Sequence, residues 1–88
     1  MVEQLIYTFK ELINKNDLDA FKAYLDQLLN DYTDIPWDYV FEKVYIHACL
    51  KKRKEIVDFL LKKYKGLDPI QQIAIRHVFS YGRYLLAH

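Results

Sequence analysis

The stretch WDYVFEKVYIHACL, residues 37–50, constrains this chain more than any other. Read as a helix, it is apolar nearly all the way round. Val40, Phe41, Val44, Tyr45, Ala48 and Cys49 form one stripe at helical spacing, and Trp37, Tyr39, Ile46 and Leu50 fall largely outside it. A surface helix needs one apolar stripe, so a helix apolar on several sides must be flanked on several sides. The rest of the chain has to supply the neighbours.

Those neighbours read as helices. Val2, Leu5, Ile6, Phe9, Leu12 and Ile13 recur at i, i+3, i+4 and i+7, which predicts an amphipathic helix over 2–14. Lys15-Asn16-Asp17 breaks it, and Asn16 or Asp17 can cap a second helix by accepting a backbone N–H. That helix, about 17–31, would bury Leu18, Phe21, Tyr24, Leu25, Leu28 and Leu29. So short a turn forces the pair into an antiparallel hairpin. After a loop at 31–36, Pro36 suits the first turn of the central helix, where its missing N–H costs nothing. Asp34 and Asp38 lie near the positive end of that helix's dipole.

A fourth helix, about 54–64, carries Ile56, Val57, Phe59, Leu60, Leu61 and Tyr64, and Gly66 after it can take a left-handed cap. Asp68-Pro69 restarts the chain, and a final helix over 69–86 contains Gly82 as either a break or a point of close approach. No segment alternates with period two, so no sheet is expected. The expectation is one all-α domain over 1–88 of about five helices: hairpin 2–31, hairpin 36–65 and a C-terminal helix 69–86. Exposed Leu85 and Leu86 would be the mark of a longer array.

The hairpins echo each other. Ala20, Phe21, Tyr24 and Leu25 align with Ile56, Val57, Leu60 and Leu61 at an offset of 36, and Leu12 aligns with Ala48 at the same offset. Such a period points to stacked helical hairpins that cover one another's apolar faces. The run His47-Ala48-Cys49-Leu50-Lys51-Lys52-Arg53-Lys54-Glu55-Ile56-Val57-Asp58-Phe59-Leu60-Leu61 resembles the inner part of an ankyrin repeat, and Lys15 to Phe21 is similar to the same turn and second-helix start. Trp37-Asp38-Tyr39-Val40 stands where such a repeat has its Thr-Pro-Leu-His start, and Lys or Asp stands where its inter-helix turn has glycine. Ala74 to Leu86 repeats the spacing from Ala48 to Leu60, which leaves room for a third, defective copy. The resemblance implies an ankyrin-like, α-solenoid-like stack acting as a protein-binding module. Divergent arrays of this kind are common in large DNA viruses, so it also implies a viral or parasite origin.

Chemistry-bearing residues are sparse. Ser80 lies inside a predicted helix, and Cys49 sits two residues from His47, a spacing at which helical side chains do not face each other. Cys49, the single cysteine, reads as a core residue and fits a reducing compartment. His47, His77 and His88 include no i, i+4 pair of the kind that holds a metal on a helix. The expectation is no enzyme, no metal, no cofactor and no small-molecule substrate. No apolar run approaches the roughly 20 residues a membrane helix needs, and no signal peptide is evident. A cytoplasmic protein is expected, with the nucleus open to it by diffusion.

Charge is lopsided. Residues 1–50 carry four lysines against nine carboxylates, and residues 51–88 carry nine Lys and Arg against three carboxylates. Such asymmetry suits an acidic partner, nucleic acid or head-to-tail self-contact. The leading expectation is binding, scaffolding or inhibition of a protein through a helical face, with Trp37, Tyr39, Lys51, Lys52, Arg53 and Lys54 as contacts. The first alternative is nucleic-acid binding through the basic region 51–65, where Lys62, Lys63 and Lys65 join the turn, together with Arg76 and Arg83 beside Tyr81 and Tyr84. The second is a homo-oligomeric structural protein. Fourteen aromatic residues, Trp37 among them, are either a crowded core or a surface near 32–39.

Overall fold

The computed structural model describes residues 2–31, 34–66, 69–74 and 76–88, without the side chains of Tyr64, Gln71 and Ala74. All the regular structure in these residues is helical: α1 (Val2–Asn14), α2 (Leu18–Asp31), α3 (Trp37–Leu50), α4 (Lys54–Lys65), α5 (Pro69–Ala74) and α6 (Arg76–Ala87). The chain is all-α, and α5 and α6 occupy the span expected of the C-terminal helix.

α3 is the hub. It packs against α1, α4 and α6, as its all-round apolarity requires. Polar contacts fix the directions. Tyr39 Oη donates to Glu3 Oε1 at 3.4 Å near the starts of α3 and α1, and His47 Nε2 meets Asn14 Oδ1 at 2.8 Å near their ends, so the two helices run parallel. At the other flank His77 lies 3.7 Å from Glu42, and Lys52, just past α3, reaches the Leu85 carbonyl at 2.7 Å, so α6 is parallel to α3 as well. α2 and α4 pack on each other, with Phe21 edge-on to Phe59 and Lys63 3.6 Å from Asp26. Two hairpins therefore lie side by side, with α6 as a further helix beyond α3. The third ankyrin-like copy would put Leu86 on a second helix beside α4. Instead Leu86 lies near the end of α6, whose main neighbour is α3.

The offset of 36 is written into the backbone. In the first turn Lys15 N donates to Glu11 O, Asn16 N to Ile13 O and Asp17 N to Leu12 O; in the second Lys51 N donates to His47 O, Lys52 N to Cys49 O and Arg53 N to Ala48 O. Each is a Schellman closure with its pivot in the left-handed region, Asn16 at φ 55° and Lys52 at φ 57°. The left-handed conformation is kept without the glycine that favours it. Gly66, which can take a left-handed cap, does not: its N–H closes a tight turn onto Lys63 O at 3.0 Å. Pro36 is the residue before α3, its carbonyl accepting from Val40 N, rather than a residue of the first turn. Asp17 is the cap of α2, its Oδ1 accepting from Ala20 N at 3.0 Å. The Asp68 cap lies outside the described residues.

The core absorbs much of the aromatic surplus. Phe9, Phe21, Phe41 and Tyr45 are buried, and Phe79 packs on both Phe41 and Tyr45, at ring separations of 5.7 and 4.8 Å. Gly82 resolves as a point of close approach. A Cβ there would sit 2.4 Å from Tyr45 Cε1 and 3.0 Å from Cys49 Sγ, so only hydrogen lets α6 settle on α3. Cys49 is a fully buried thiol, raised above its ordinary pKa by desolvation.

Candidate binding surface

The basic turn after α3 is partly spent on the fold. Arg53, half-buried, donates from Nε to Ile13 O at 3.1 Å and from Nη2 to Asn14 O at 2.9 Å, closing the last carbonyls of α1. Lys52 donates from Nζ to Leu85 O and Leu86 O at 2.7 and 3.3 Å, doing the same for α6. Cations at helix C-termini also meet the negative end of the dipole. Lys51 and Lys54 remain exposed.

Trp37 and Tyr39 belong to the opposite end of α3, about 20 Å away by helix rise. Trp37 is half-buried, while Tyr39 is 40% exposed, bonded to Glu3 and crossed by the Lys43 ammonium at 5.6 Å. The structure thus does not bring Trp37 and Tyr39 together with residues 51–54. Lys62 and Lys65 are exposed, and Lys63 is paired with Asp26 and lies over the Phe59 ring. Of the surface expected near 32–39, Tyr32 and Thr33 lie outside the described residues.

What the structure does gather is on α5 and α6. Ile70 is 80% exposed, Ile73 64%, Tyr81 51% and Tyr84 58%, half of the exposed large apolar side chains of the described residues. Positions 70, 73, 77, 81, 84 and 88 are spaced by three or four, so within each helix the exposed side chains share a stripe. The Tyr81 and Tyr84 rings lie nearly parallel at 6.4 Å, and His88 packs on Tyr84 at 4.3 Å. Arg76 and Arg83 are exposed on α6, and no Asp or Glu occurs from 69 to 88. Leu85 and Leu86 are half-buried, and Val78 and Gly82 are buried against α3.

Of these residues, Tyr81 and Tyr84 were expected beside a basic face, and Ile70 and Ile73 were not among the expected contacts. The missed signal is their distribution: α6 carries apolar residues on two sides, and α3 covers only one. His47, bonded to Asn14, is held below the ordinary histidine range by burial, then by Lys10 and Lys51.

The fold and this surface define an all-α protein whose exposed apolar stripe is bordered by cations. No protein-family model, curated protein or solved structure matches the chain. Among the described residues no helix is long and apolar enough to cross a membrane, and no group of three or more His, Cys, Asp or Glu could hold a metal ion.

Proposed function

We propose that this is a non-catalytic protein-binding module of stacked helical hairpins, ankyrin-like in kind, which engages its partner through the outward stripe of α5 and α6. The observation that carries the reading is that stripe: Ile70, Ile73, Tyr81 and Tyr84 exposed on α5 and α6, with Arg76 and Arg83 exposed and no carboxylate in the segment. Tyrosine and arginine are the residue types that concentrate binding energy at interfaces, and exposed aliphatic area beside them supplies the desolvated centre. The complementary partner is an amphipathic segment with its own apolar stripe and flanking carboxylates. The ankyrin likeness belongs to the same proposal, supported by two turns whose backbone bonds correspond at one offset.

A second reading has its own observation. Parallel Tyr81 and Tyr84 rings with Arg76 and Arg83 nearby are a platform on which unpaired bases could stack. One series separates the readings. Tyr81→Asp with Tyr84→Asp, and Arg76→Glu with Arg83→Glu, change exposed side chains, so far-ultraviolet circular dichroism should be unaltered. A specific protein complex should lose about 2 kcal/mol or more with the tyrosine pair. Retention of the complex by both variants sinks the proposal. Salt-sensitive binding of a labelled single-stranded oligonucleotide, lost in both variants, replaces it with the second reading. Concentration-dependent mass in light scattering, lost with the tyrosine pair, makes the partner a second copy.

A further inference from the structure

Between the two hairpins lies a cleft of about 460 Å³, which no part of the proposed partner surface uses. Its walls are Phe21, Leu25 and Leu29 from α2, Trp37 and Val44 from α3 and Leu60 from α4, and Lys62 and Lys63 contribute the charge. The cleft is open to solvent on one side and is lined chiefly by apolar side chains. It falls within the range of ligand sites, about 300–1,000 Å³. We propose that this cleft binds an anionic amphiphile of the fatty-acid class, its alkyl chain between the hairpins and its carboxylate on Lys62 and Lys63.

Size and charge select this class. A space of about 460 Å³ is of the size that takes a single alkyl chain. No carboxylate is among the described lining residues, so a cationic head gains nothing there, whereas an anionic head has Lys62 and Lys63 to meet. Lys63 is already countered by Asp26 at 3.6 Å, whereas Lys62 is exposed and has no ion-pair partner among the described residues, so Lys62 is the principal contact. An ammonium–carboxylate bond is charge-assisted and about twice as strong as a neutral one, and it fixes which end of the ligand stays at the surface. The apolar side chains of the lining favour the alkyl chain.

Trp37 is the only tryptophan of the chain and lines the cleft, so its emission reports occupancy. The test is titration of the full chain with dodecanoate and with bromododecanoate, below their micelle concentrations. Saturable quenching of Trp37 by the brominated acid, relieved by excess dodecanoate, is expected. Lys62→Glu with Lys63→Glu should weaken dodecanoate by about tenfold or more while leaving dodecanol unchanged. Val44→Phe, which fills the cleft, should weaken both; should it unfold, Leu29→Phe at the half-exposed margin serves instead. Quenching that rises linearly without saturation overturns the proposal. So does equal binding of dodecyltrimethylammonium, or indifference to the lysine pair. The Tyr81 and Tyr84 variants should bind dodecanoate as wild type does, which separates failure here from failure of the partner surface.

Discussion

The turn at 15–17 and the turn at 51–53 close with the same backbone bonds, yet their side chains serve different helices. In the first, Asp17 turns back on its own chain and caps α2 through Ala20 N. In the second, at the same offset, Arg53 reaches sideways to the carbonyls of Ile13 and Asn14, and Lys52 reaches the other way to those of Leu85 and Leu86. The first hairpin stands at an edge of the stack, whereas the second has α1 on one side of α3 and α6 on the other. A turn between two neighbours can tie both, and long cationic side chains are the ones that span the gap. Four consecutive basic residues thus have a structural use for two of them, and a basic run on its own is weak grounds for a polyanion site.

Arg53→Ala breaks the comparison hardest. It removes two charge-assisted bonds at the end of α1, a part-buried one to Ile13 O and an exposed one to Asn14 O, and urea denaturation should show a loss of about 2 kcal/mol. Asp17→Ala removes one exposed N-cap and should cost about 1 kcal/mol. If the two cost the same, the sideways contacts of Arg53 contribute no more than an ordinary cap, and the two turns are equivalent after all.

The left-handed pivots give a finer test. A lysine tolerates positive φ less well than an asparagine, so backbone strain alone makes Lys52→Gly the more stabilising of the two glycine substitutions. But Lys52→Gly also gives up the bonds to Leu85 and Leu86, while Asn16→Gly gives up nothing comparable. The expected order is reversed: Asn16→Gly should raise the urea midpoint by about 0.5 kcal/mol of stability, and Lys52→Gly should leave it near zero change. A clear gain from Lys52→Gly would mean that its cap on α6 is idle.

How much of this was legible from residues follows the same physics. α1 to α4 are plain in the sequence because a 3.6-residue period is a local signal, and the offset of 36 is visible because equivalent positions in both hairpins face the same kind of neighbour. Gly82 was ambiguous in sequence; Tyr45 and Cys49, more than thirty residues away, decide it. The same is true of Arg53, whose acceptors are backbone carbonyls that no residue type announces. The α6 stripe could not be assigned inward or outward, because Val78 and Phe79 on one side and Tyr81 and Tyr84 on the other are all apolar, and only the position of α3 decides which are covered.

The smallest expected effect concerns the contact that joins the two turns' helices from the side-chain end, His47 on α3 against Asn14 on α1 at 2.8 Å. Burial, with Lys10 and Lys51 nearby, favours the neutral ring, so the folded-state pKa lies below the ordinary value of 6.5. The folded chain then binds fewer protons than the unfolded chain just below that value, and acid favours unfolding. Stability from the neutral ring is fully present above about pH 6.5 and is lost as pH falls from there through the lower folded-state value. Urea midpoints should therefore drop between pH 7.5 and 5.5, and His47→Gln, which keeps a donor for Asn14 Oδ1 but cannot titrate, should flatten that drop. A drop of the same size in His47→Gln would place the titrating group elsewhere. If His47→Gln flattens the drop in wild type but not in Arg53→Ala, the histidine contact depends on the arginine caps, and the ends of α1 and α3 are held as one unit.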